Sequence, residues 1–373
     1  MRILVINWQD IRNPLAGGAE VHLHEIFSRI AKMGHEVTLF CSSFEGALPE
    51  ENINGVHVIR EGGRSLFNFR VPVKYFTRFR DERYDVVVDD MNKIPFFTPI
   101  YVREPLCFIL HHLFGSSIFQ EASWPVALYV YLAEKAGVAV CRKKNVPVMV
   151  VSPSTKNELE KQGFSADMIE IVYNCVDHST HWRDEARRSP VPLIGYFGRL
   201  KKYKFVEHLL RALPAIRMEV PDVKLVIIGE GDNRASLEDL ARRLGVSEAV
   251  RFMGFVDDKE KVRLLQEAWF VVSTSSKEGW GLTVIEANAC GTTVLASNVP
   301  GLRDAVRDGE TGLLYEFGNI DELSAKIKLL LRDASLRQRL ADAAYAWAQT
   351  FDWEMSARRT LAFLERRVRS AGR

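Results

Sequence analysis

Two glutamates eight positions apart, Glu278 and Glu286, belong to the Gly-rich segment KEGWGLTVIEANACG. This segment follows an apolar run and precedes a predicted amphipathic helix. The helix start presents three backbone N–H groups, those of Gly281, Leu282 and Thr283. Such groups attract a phosphate, because the helix dipole is positive there. The carboxylates can accept hydrogen bonds from sugar or ribose hydroxyls, so the segment predicts a site for a phosphorylated sugar; the alternative is a Gly-rich turn with two exposed acids.

A second segment, GYFGRLKKYK at 195–204, supplies the complementary charge. Its cations Arg199 and Lys204 suit a diphosphate, since each charge-assisted hydrogen bond contributes about 1.5–3 kcal/mol. Lys201 and Lys202 are predicted to face solvent.

Two further motifs lie in the first half of the chain. Gly17 and Gly18 in AGGAE follow the first predicted strand and allow a ligand close to the backbone. The pattern is not GxGxxG, which disfavours nicotinamide or flavin binding. His111 and His112 follow the apolar run FIL, and neighbours on a strand face opposite sides. No carboxylate or cysteine supports them in the sequence, so we predict no metal site.

The elements that must position these residues are short β-branched runs alternating with longer helical patterns, which is typical of parallel α/β sheets. The first half contains predicted strands at Arg2–Asn7, Glu36–Cys41, Val56–Arg60, Val86–Asp89, Leu106–Leu110 and Val148–Ser152. The second half contains predicted strands at Pro192–Gly198, Lys224–Gly229, Val250–Met253, Ala268–Ser273 and Thr293–Ser297. Two successive sheets predict two doubly wound domains, with the polar stretch His178–Pro192 as the linker. Ligands of such sheets bind beyond the carboxyl ends of the strands.

Composition narrows the class of protein. The chain has 373 residues and a formal net charge of +2, too balanced for a dedicated nucleic-acid binder. Its five cysteines form no CxxC pair and lie mostly in apolar runs, which predicts reduced thiols in the cytoplasm. The longest apolar runs are about half the length that spans a bilayer.

The extended segment SSKEGWGLTVIEANACGTTVLASNVPG resembles the E-x7-E segment of the retaining glycosyltransferases called family 4. GRLKKYK resembles the family's G-R-L-x-x-x-K-G element, with Phe205 where the family usually has glycine; Cys175 also replaces a usual glycine. The resemblance implies the GT-B fold, in which two Rossmann-like domains face each other across a cleft. It further implies an acceptor domain at 1–180, a nucleotide-sugar domain at 190–350 and a helix at 351–373 crossing back to the first domain.

The resemblance also implies roles for individual residues. Arg199 and Lys204 would bind the donor pyrophosphate. Glu278 would accept hydrogen bonds from the sugar hydroxyls, and Glu286 would accept them from the ribose. The segment FMGFVDD would place the backbone around Val256 against the base, and Gly17 and Gly18 would approach the donor phosphates or the acceptor. His111 matches the family's histidine near the reaction centre, because it directly follows the strand; His112 stays open as the alternative.

The implied reaction moves a sugar, with retention, from a nucleotide diphosphate sugar to a hydroxyl of a glycan, a lipid-linked or a small-molecule acceptor. No metal or other cofactor is expected. Two alternatives stay open: a catalytically silent nucleotide-sugar-binding subunit of a glycan assembly complex, and a sugar-nucleotide epimerase on the same fold. The sequence does not define the sugar, the base or the oligomeric state.

The stretch Arg64–Arg83 holds six basic residues interleaved with aromatic ones. A basic aromatic helix can lie on an anionic membrane surface, which would make the protein peripheral to the inner face of the membrane. An ordinary helix with its aromatic side chains in the core is the alternative.

Overall fold

A computed structural model describes residues 1–91 and 93–371 of the chain. Their contacts divide the chain into two compact units. The first unit comprises residues 1–174 and the C-terminal segment from Trp353, and the second comprises residues 175–352. The segment predicted at 351–373 is a helix from Trp353 to Ala371, and Gly372 and Arg373 lie outside the described residues.

An eight-stranded sheet forms the centre of the first unit as described. Its strands are β1 (Arg2–Ile6), β2 (Glu36–Cys41), β3 (Glu50–Ile53), β4 (Val56–Arg60), β5 (Val86–Met91), β6 (Leu106–Leu110), β7 (Val148–Val150) and β8 (Ile169–Ile171). They lie in the order β3-β4-β2-β1-β5-β6-β7-β8, and all neighbours pair in parallel except β3 with β4. Ile3 of β1 pairs with Val37 on one side and Val86 on the other, so β1 and β5 flank the point where the strand order reverses.

Helices cover the faces of this sheet. They are α1 (Gly18–Lys32), α2 (Phe67–Lys74), α3 (Trp124–Lys143), α4 (Pro153–Lys161) and the C-terminal helix, α12. A π-helical turn, Tyr75–Phe79, continues α2. Helix α1 buries Leu23, Ile26, Phe27 and Ile30 at helical spacing, and it packs beside α12. Each fully buried side chain of this kind contributes about 1.5–3 kcal/mol.

The second unit contains a six-stranded parallel sheet in its described residues. Its strands are β9 (Leu193–Phe197), β10 (Lys224–Ile228), β11 (Val250–Gly254), β12 (Phe270–Ser273), β13 (Val294–Ser297) and β14 (Gly312–Tyr315). Their order, β11-β10-β9-β12-β13-β14, is the 3-2-1-4-5-6 order of a doubly wound sheet. Ile194 of β9 pairs with Leu225 and Phe270, so β9 and β12 flank the switch point of this sheet.

Seven helices surround the second sheet. They are α5 (Val206–Arg217), α6 (Arg234–Arg243), α7 (Asp258–Glu267), α8 (Leu282–Ala289), α9 (Leu302–Ala305), α10 (Ile320–Arg332) and α11 (Ala334–Ala348). The core packs strand residues such as Ile194 and Phe270 against Leu209 of α5 and Ile327 of α10, all with no exposed surface. The packed sheet thereby fixes the ends of its strands, and these ends position the loops that follow them.

The stretch predicted as a linker, His178–Pro192, belongs to the second unit. His181 is buried, and Arg188 donates hydrogen bonds to the carbonyl oxygens of Ala268 and Gly291 and to the Thr292 hydroxyl. Its polar composition resembles a linker, but Arg188 ties it to carbonyl groups of the second unit. The units divide between Asn174 and Cys175.

Candidate active site

The switch point of the second sheet places two loops side by side. The loop after β9 carries Arg199 and Lys204, and the loop after β12 carries Glu278. Parallel strands end at the same edge of a sheet, and the crossovers from β9 and β12 leave toward opposite faces there, which opens a crevice. The predicted cations and the first predicted glutamate therefore share one edge of the second unit.

Close backbone packing holds the loop after β9 in place. A Cβ atom on Gly229 would lie 2.0 Å from the carbonyl oxygen of Gly198, so the loop after β10 presses directly against it. Arg199 is exposed and forms no ion pair with any residue in 1–91 or 93–371. Its guanidinium is free to meet an anion.

Phe205 has φ 48° and ψ 41°, in the left-handed region that favours glycine. It keeps the backbone conformation suited to the glycine it replaces in the family pattern. Its ring lies 5.0 Å from the ring of His208 and 4.9 Å from that of Phe317. These contacts offset the steric cost of a side chain at positive φ, about 1–2 kcal/mol.

Lys204 and Glu278 form an ion pair across the two loops. The Ser275 hydroxyl donates a second hydrogen bond to the same Glu278 carboxylate, at 2.6 Å, and the Thr274 hydroxyl donates to the Lys204 carbonyl at 2.7 Å. Burial lowers the pKa of Lys204, but the Glu278 carboxylate raises it by more, so the pKa lies above its ordinary value. The pair brings a permanent positive charge and a carboxylate to one place.

Helix α8 begins directly after this loop. Gly281 precedes it with φ 103°, and the N–H groups of its first turn have no acceptors within the helix. A Cβ atom on Gly301 would lie 2.2 Å from the Glu278 carbonyl oxygen, and the Glu278 N–H donates to the Pro300 carbonyl at 3.3 Å. Glycine at 301 thus lets the following loop hold the α8 start close to the Lys204–Glu278 pair.

Glu286 lies in α8 and is buried. Lys261 of α7 forms an ion pair with it at 2.6 Å, and the His181 ring lies 4.0 Å from its other oxygen. Burial lowers the pKa of His181 despite the nearby carboxylate. The sequence analysis missed both partners, because neither belongs to the motif; the signal was the place of Lys261 shortly after the segment FMGFVDD.

Val256 follows β11 and is partly buried, while its neighbour Phe255 is 85% exposed. Asp257 begins the next helix, its carboxylate accepting from the Glu260 N–H at 2.8 Å. This cap fixes the turn that carries the Val256 backbone.

In the first unit, Gly17 and Gly18 form the start of α1, in the connection that leaves β1. The Glu20 carboxylate accepts a hydrogen bond from the Gly17 N–H at 2.7 Å, which caps the helix. Burial raises the pKa of Glu20, and Asp90 adds to the rise. The glycine loop is therefore held by a buried acid.

His111 directly follows β6, and its Nε2 atom lies 3.3 Å from an Asp90 carboxylate oxygen. Its ring meets that of buried His22 edge-on at 5.1 Å. Burial lowers the pKa of His111, but Asp90 and Glu20 together raise it by more, to above its ordinary value. His112 instead contacts the Phe114 ring at 4.4 Å. The two histidines lie just beyond β6 and have different neighbours.

Asp89 and Asp90 lie inside β5 and are buried. The Thr98 hydroxyl donates to Asp89 at 2.5 Å. Burial raises the pKa of Asp89 to about 7, aided by the neighbouring Asp90. Across the described parts of the chain, no group of three or more His, Cys, Asp or Glu side chains is arranged to hold a metal ion.

The predicted site residues fall in both units. Gly17, Gly18 and His111 belong to the first; the second contains Arg199, Lys204, Val256, Glu278, Gly281, Leu282, Thr283 and Glu286. Within the second unit, Lys204 and Glu278 are in contact, and Glu286 instead pairs with Lys261.

Two doubly wound sheets, with an anion-suited crevice at the switch point of the second, define the class of protein as a GT-B enzyme. The family models agree: residues 16–180 match Glycosyltransferase Family 4, and residues 179–347 match Glycosyl transferases group 1. The chain belongs to the group 1 glycosyltransferases.

Relatives and solved structures match over nearly the whole chain. An uncharacterized glycosyltransferase of Methanocaldococcus jannaschii is 26% identical, over 97% of each chain. Sucrose-phosphate synthase from Thermosynechococcus elongatus superposes with a TM-score of 0.82 at 21% identity, covering 99% of both chains. HepE from Anabaena, solved in complex with UDP-glucose, gives a TM-score of 0.77 at 21% identity, covering 98% of this chain and 99% of that one. At these identities the structures establish the fold.

Proposed function

We propose that the protein transfers a sugar, with retention of configuration, from a nucleotide diphosphate sugar to an acceptor hydroxyl. The observation that carries the proposal is the arrangement at the β9–β12 switch point. There an unpaired arginine, a half-buried charged lysine and the start of a helix lie together at the edge of the sheet. This combination suits a pyrophosphate that must depart with its negative charge.

Arg199 and Lys204 would stabilise the leaving phosphate together with the first-turn N–H groups of α8. As the glycosidic bond stretches, charge accumulates on the phosphate oxygens. Groups already oriented toward that charge lower the barrier, because they need no reorganisation during the reaction. The positive charge would come from the protein, so the proposed transfer uses no metal and no cofactor.

The two glutamates would divide the donor between them. Glu278 would hold sugar hydroxyls while its Lys204 partner faces the phosphate. Glu286 would accept hydrogen bonds from the ribose, and Lys261, which forms an ion pair with Glu286, would share the carboxylate with the ligand. The Val256 backbone would lie against the base.

In the first unit, His111 would line the reaction centre and Gly17 and Gly18 would let ligand approach the backbone. The acceptor hydroxyl would attack the face from which the phosphate departs, and that phosphate would take its proton. This route accounts for retention with Glu278 already committed to an ion pair. Its bond changes balance: the sugar–phosphate bond breaks, and the sugar–acceptor bond forms.

UDP-glucose is the first donor to test, since HepE from Anabaena was solved with it. We place the reaction in the cytoplasm, because Cys41, Cys107, Cys141, Cys175 and Cys290 are buried free thiols. No helix in residues 1–91 or 93–371 is long and apolar enough to cross a membrane.

The test begins with a thermal-shift screen over nucleotide diphosphate sugars. A ligand present at about 100 times its dissociation constant should stabilise the protein by about 2.7 kcal/mol. Hydrolysis of the best donor without acceptor is then followed by NMR, which reports the configuration of the released sugar. Binding without hydrolysis or transfer would favour a silent sugar-nucleotide-binding subunit, and inverted product would refute retention.

A further inference from the structure

The first unit exposes large apolar side chains on two helices. On and beside α2 they are Leu66, Phe69, Val73 and Phe76; on α3 they are Trp124, Val126, Tyr129 and Leu132; Ile100 lies in the connecting segment. Each is between 50% and 68% exposed. We call these nine residues the α2–α3 face. The surface of a soluble monomer rarely carries so many large apolar side chains on two neighbouring elements.

Contacts within the unit join the two helices through the segment 93–101. The Asn68 side chain donates to the carbonyl oxygens of Ile94 and Pro95 at 3.1 Å each. Pro95 in turn packs against α3 so tightly that a Cβ atom on Gly137 would lie 2.2 Å from its ring. The Phe76 ring lies 6.0 Å from that of Tyr101. The exposed side chains of both helices therefore flank one connecting segment.

The aromatic residues of the Arg64–Arg83 stretch divide into two sets. Phe67, Tyr75 and Phe79 are buried in the core, as an ordinary amphipathic helix requires. Phe69 and Phe76 point outward with 68% and 50% of their surface exposed. Phe69 and the exposed half of Phe76 therefore lie outside the core, although the Phe76 ring also contacts the rings of Tyr75 and Tyr101.

The charges near the face are mostly positive, although exposed Asp81 lies beside Arg80 and Glu121 pairs with Lys93 just before α3. The α3 sequence contains one acid, Glu134, and it is buried, accepting from the N–H groups of Phe114 and Gly115 at 2.6 and 2.8 Å. The exposed cations of α3 are Lys135, Arg142 and Lys143.

Near α2 the cations fall into two groups. Arg70, Lys74 and Arg78 form ion pairs with glutamates. Arg64, Arg80 and Arg83 are exposed and pair with no acid among the residues that the structure describes. These three charges are available to a partner.

We propose that the α2–α3 face docks on an anionic lipid bilayer, with its apolar side chains in the headgroup region and its free arginines on the lipid charges. Phe, Trp and Tyr side chains suit the bilayer interface, since they combine an apolar body with tolerance of a polar boundary. Nearby cations add attraction that falls with salt. This docking does not depend on the proposed reaction.

Sedimentation of the full chain with phosphatidylglycerol–phosphatidylcholine vesicles tests it, with pure phosphatidylcholine vesicles in parallel. Binding should require the anionic lipid and weaken as salt rises. F69S combined with W124S should weaken it by about tenfold or more, because two exposed apolar anchors are lost. Charge reversal to glutamate at Arg64, Arg80 and Arg83 should weaken it by at least about a hundredfold.

Two controls separate docking from misfolding. M218S removes an exposed apolar side chain of the second unit, where Met218 is 86% exposed, and should bind vesicles like the unmodified protein. Each variant should also keep the melting temperature and UDP affinity of the unmodified protein. Absence of binding to anionic vesicles, or equal binding by F69S/W124S, would overturn the proposal. A dimer that dissociates in F69S/W124S without any vesicle binding would do so too, since it would identify a second copy as the occupant.

Discussion

Arg199 and Lys204 are predicted to bind the same pyrophosphate, but their contacts within the protein differ. Arg199 is exposed and has no ion-pair partner in the described chain, whereas Lys204 is 15% exposed and bound to Glu278. Substitution with alanine should therefore distinguish the two cations: Arg199 would serve ligand binding alone, whereas Lys204 would also stabilise the fold.

Arg199→Ala should reduce kcat/KM for the donor by about 30- to 1000-fold, which corresponds to about 2–4 kcal/mol of lost transition-state stabilisation. Its unfolding free energy should change by less than about 0.5 kcal/mol, because the side chain is exposed and unpaired. Lys204→Ala should lose activity to a similar degree. It should also cost about 1–3 kcal/mol in unfolding free energy, because Glu278 keeps only its Ser275 hydrogen bond.

Steady-state kinetics with the preferred donor and thermal denaturation without ligand measure the two effects. Lys201→Ala is the matched control: Lys201 is 43% exposed and pairs with an exposed Asp232, so both readouts should stay at the level of the unmodified protein. Wild-type kcat/KM in both Arg199→Ala and Lys204→Ala would refute the pyrophosphate assignment. An equal loss of thermal stability in the two variants would refute the distinction drawn from their contacts.

The remaining predictions concern the other ionisable residues of the two units. Glu286→Ala should weaken UDP binding in calorimetry by about tenfold or more, whereas Glu278→Ala should reduce transfer and leave UDP affinity nearly unchanged; the reverse pattern would exchange their roles. His111→Ala should lower kcat with little change in UDP affinity, and His112→Ala should be kinetically close to silent; the opposite ranking would give the role to His112. Asp89→Asn should stabilise the protein at pH 8, and the gain should shrink toward pH 5. A carboxyl with a folded pKa of about 7 and an unfolded value of 3.8 binds more protons when folded, so its ionisation weakens folding as pH rises through that window. A gain of equal size at both pH values would show that Asp89 does not titrate there.

The sheet strands were predictable because most are continuous apolar runs buried on both faces. Val37, Val87 and Ile227 lie in such runs, and the predicted strand bounds agree with the structure within about two residues. The three missed strands have three or four residues each: β3 reads EENI, β8 reads IEI and β14 reads GLLY. They form because a neighbouring strand supplies hydrogen-bond partners, which no local pattern reports.

The motif residues were predictable because phosphate-binding loops require particular residue types at fixed spacing. Their partners were not. Lys261 meets Glu286 only after α7 and α8 pack, and His181 reaches it from a stretch whose composition predicted a linker. Phe205 shows a third limit, since its left-handed backbone depends on ring contacts with Phe317 from a distant loop. The catalytic roles of these residues stay predictions until the variants are measured.

The Lys204–Glu278 contact joins residues 74 positions apart, from two strands adjacent only in the finished sheet. Closing so long a loop costs conformational entropy before the contacts that offset this cost have formed. The pairing therefore belongs among the slower steps of folding. A partly folded second unit, even one with β9, β10 and β11 in place, contains only half of the anion site. Recovery of nucleotide affinity during refolding should therefore lag behind the return of helical signal and report completion of the sheet.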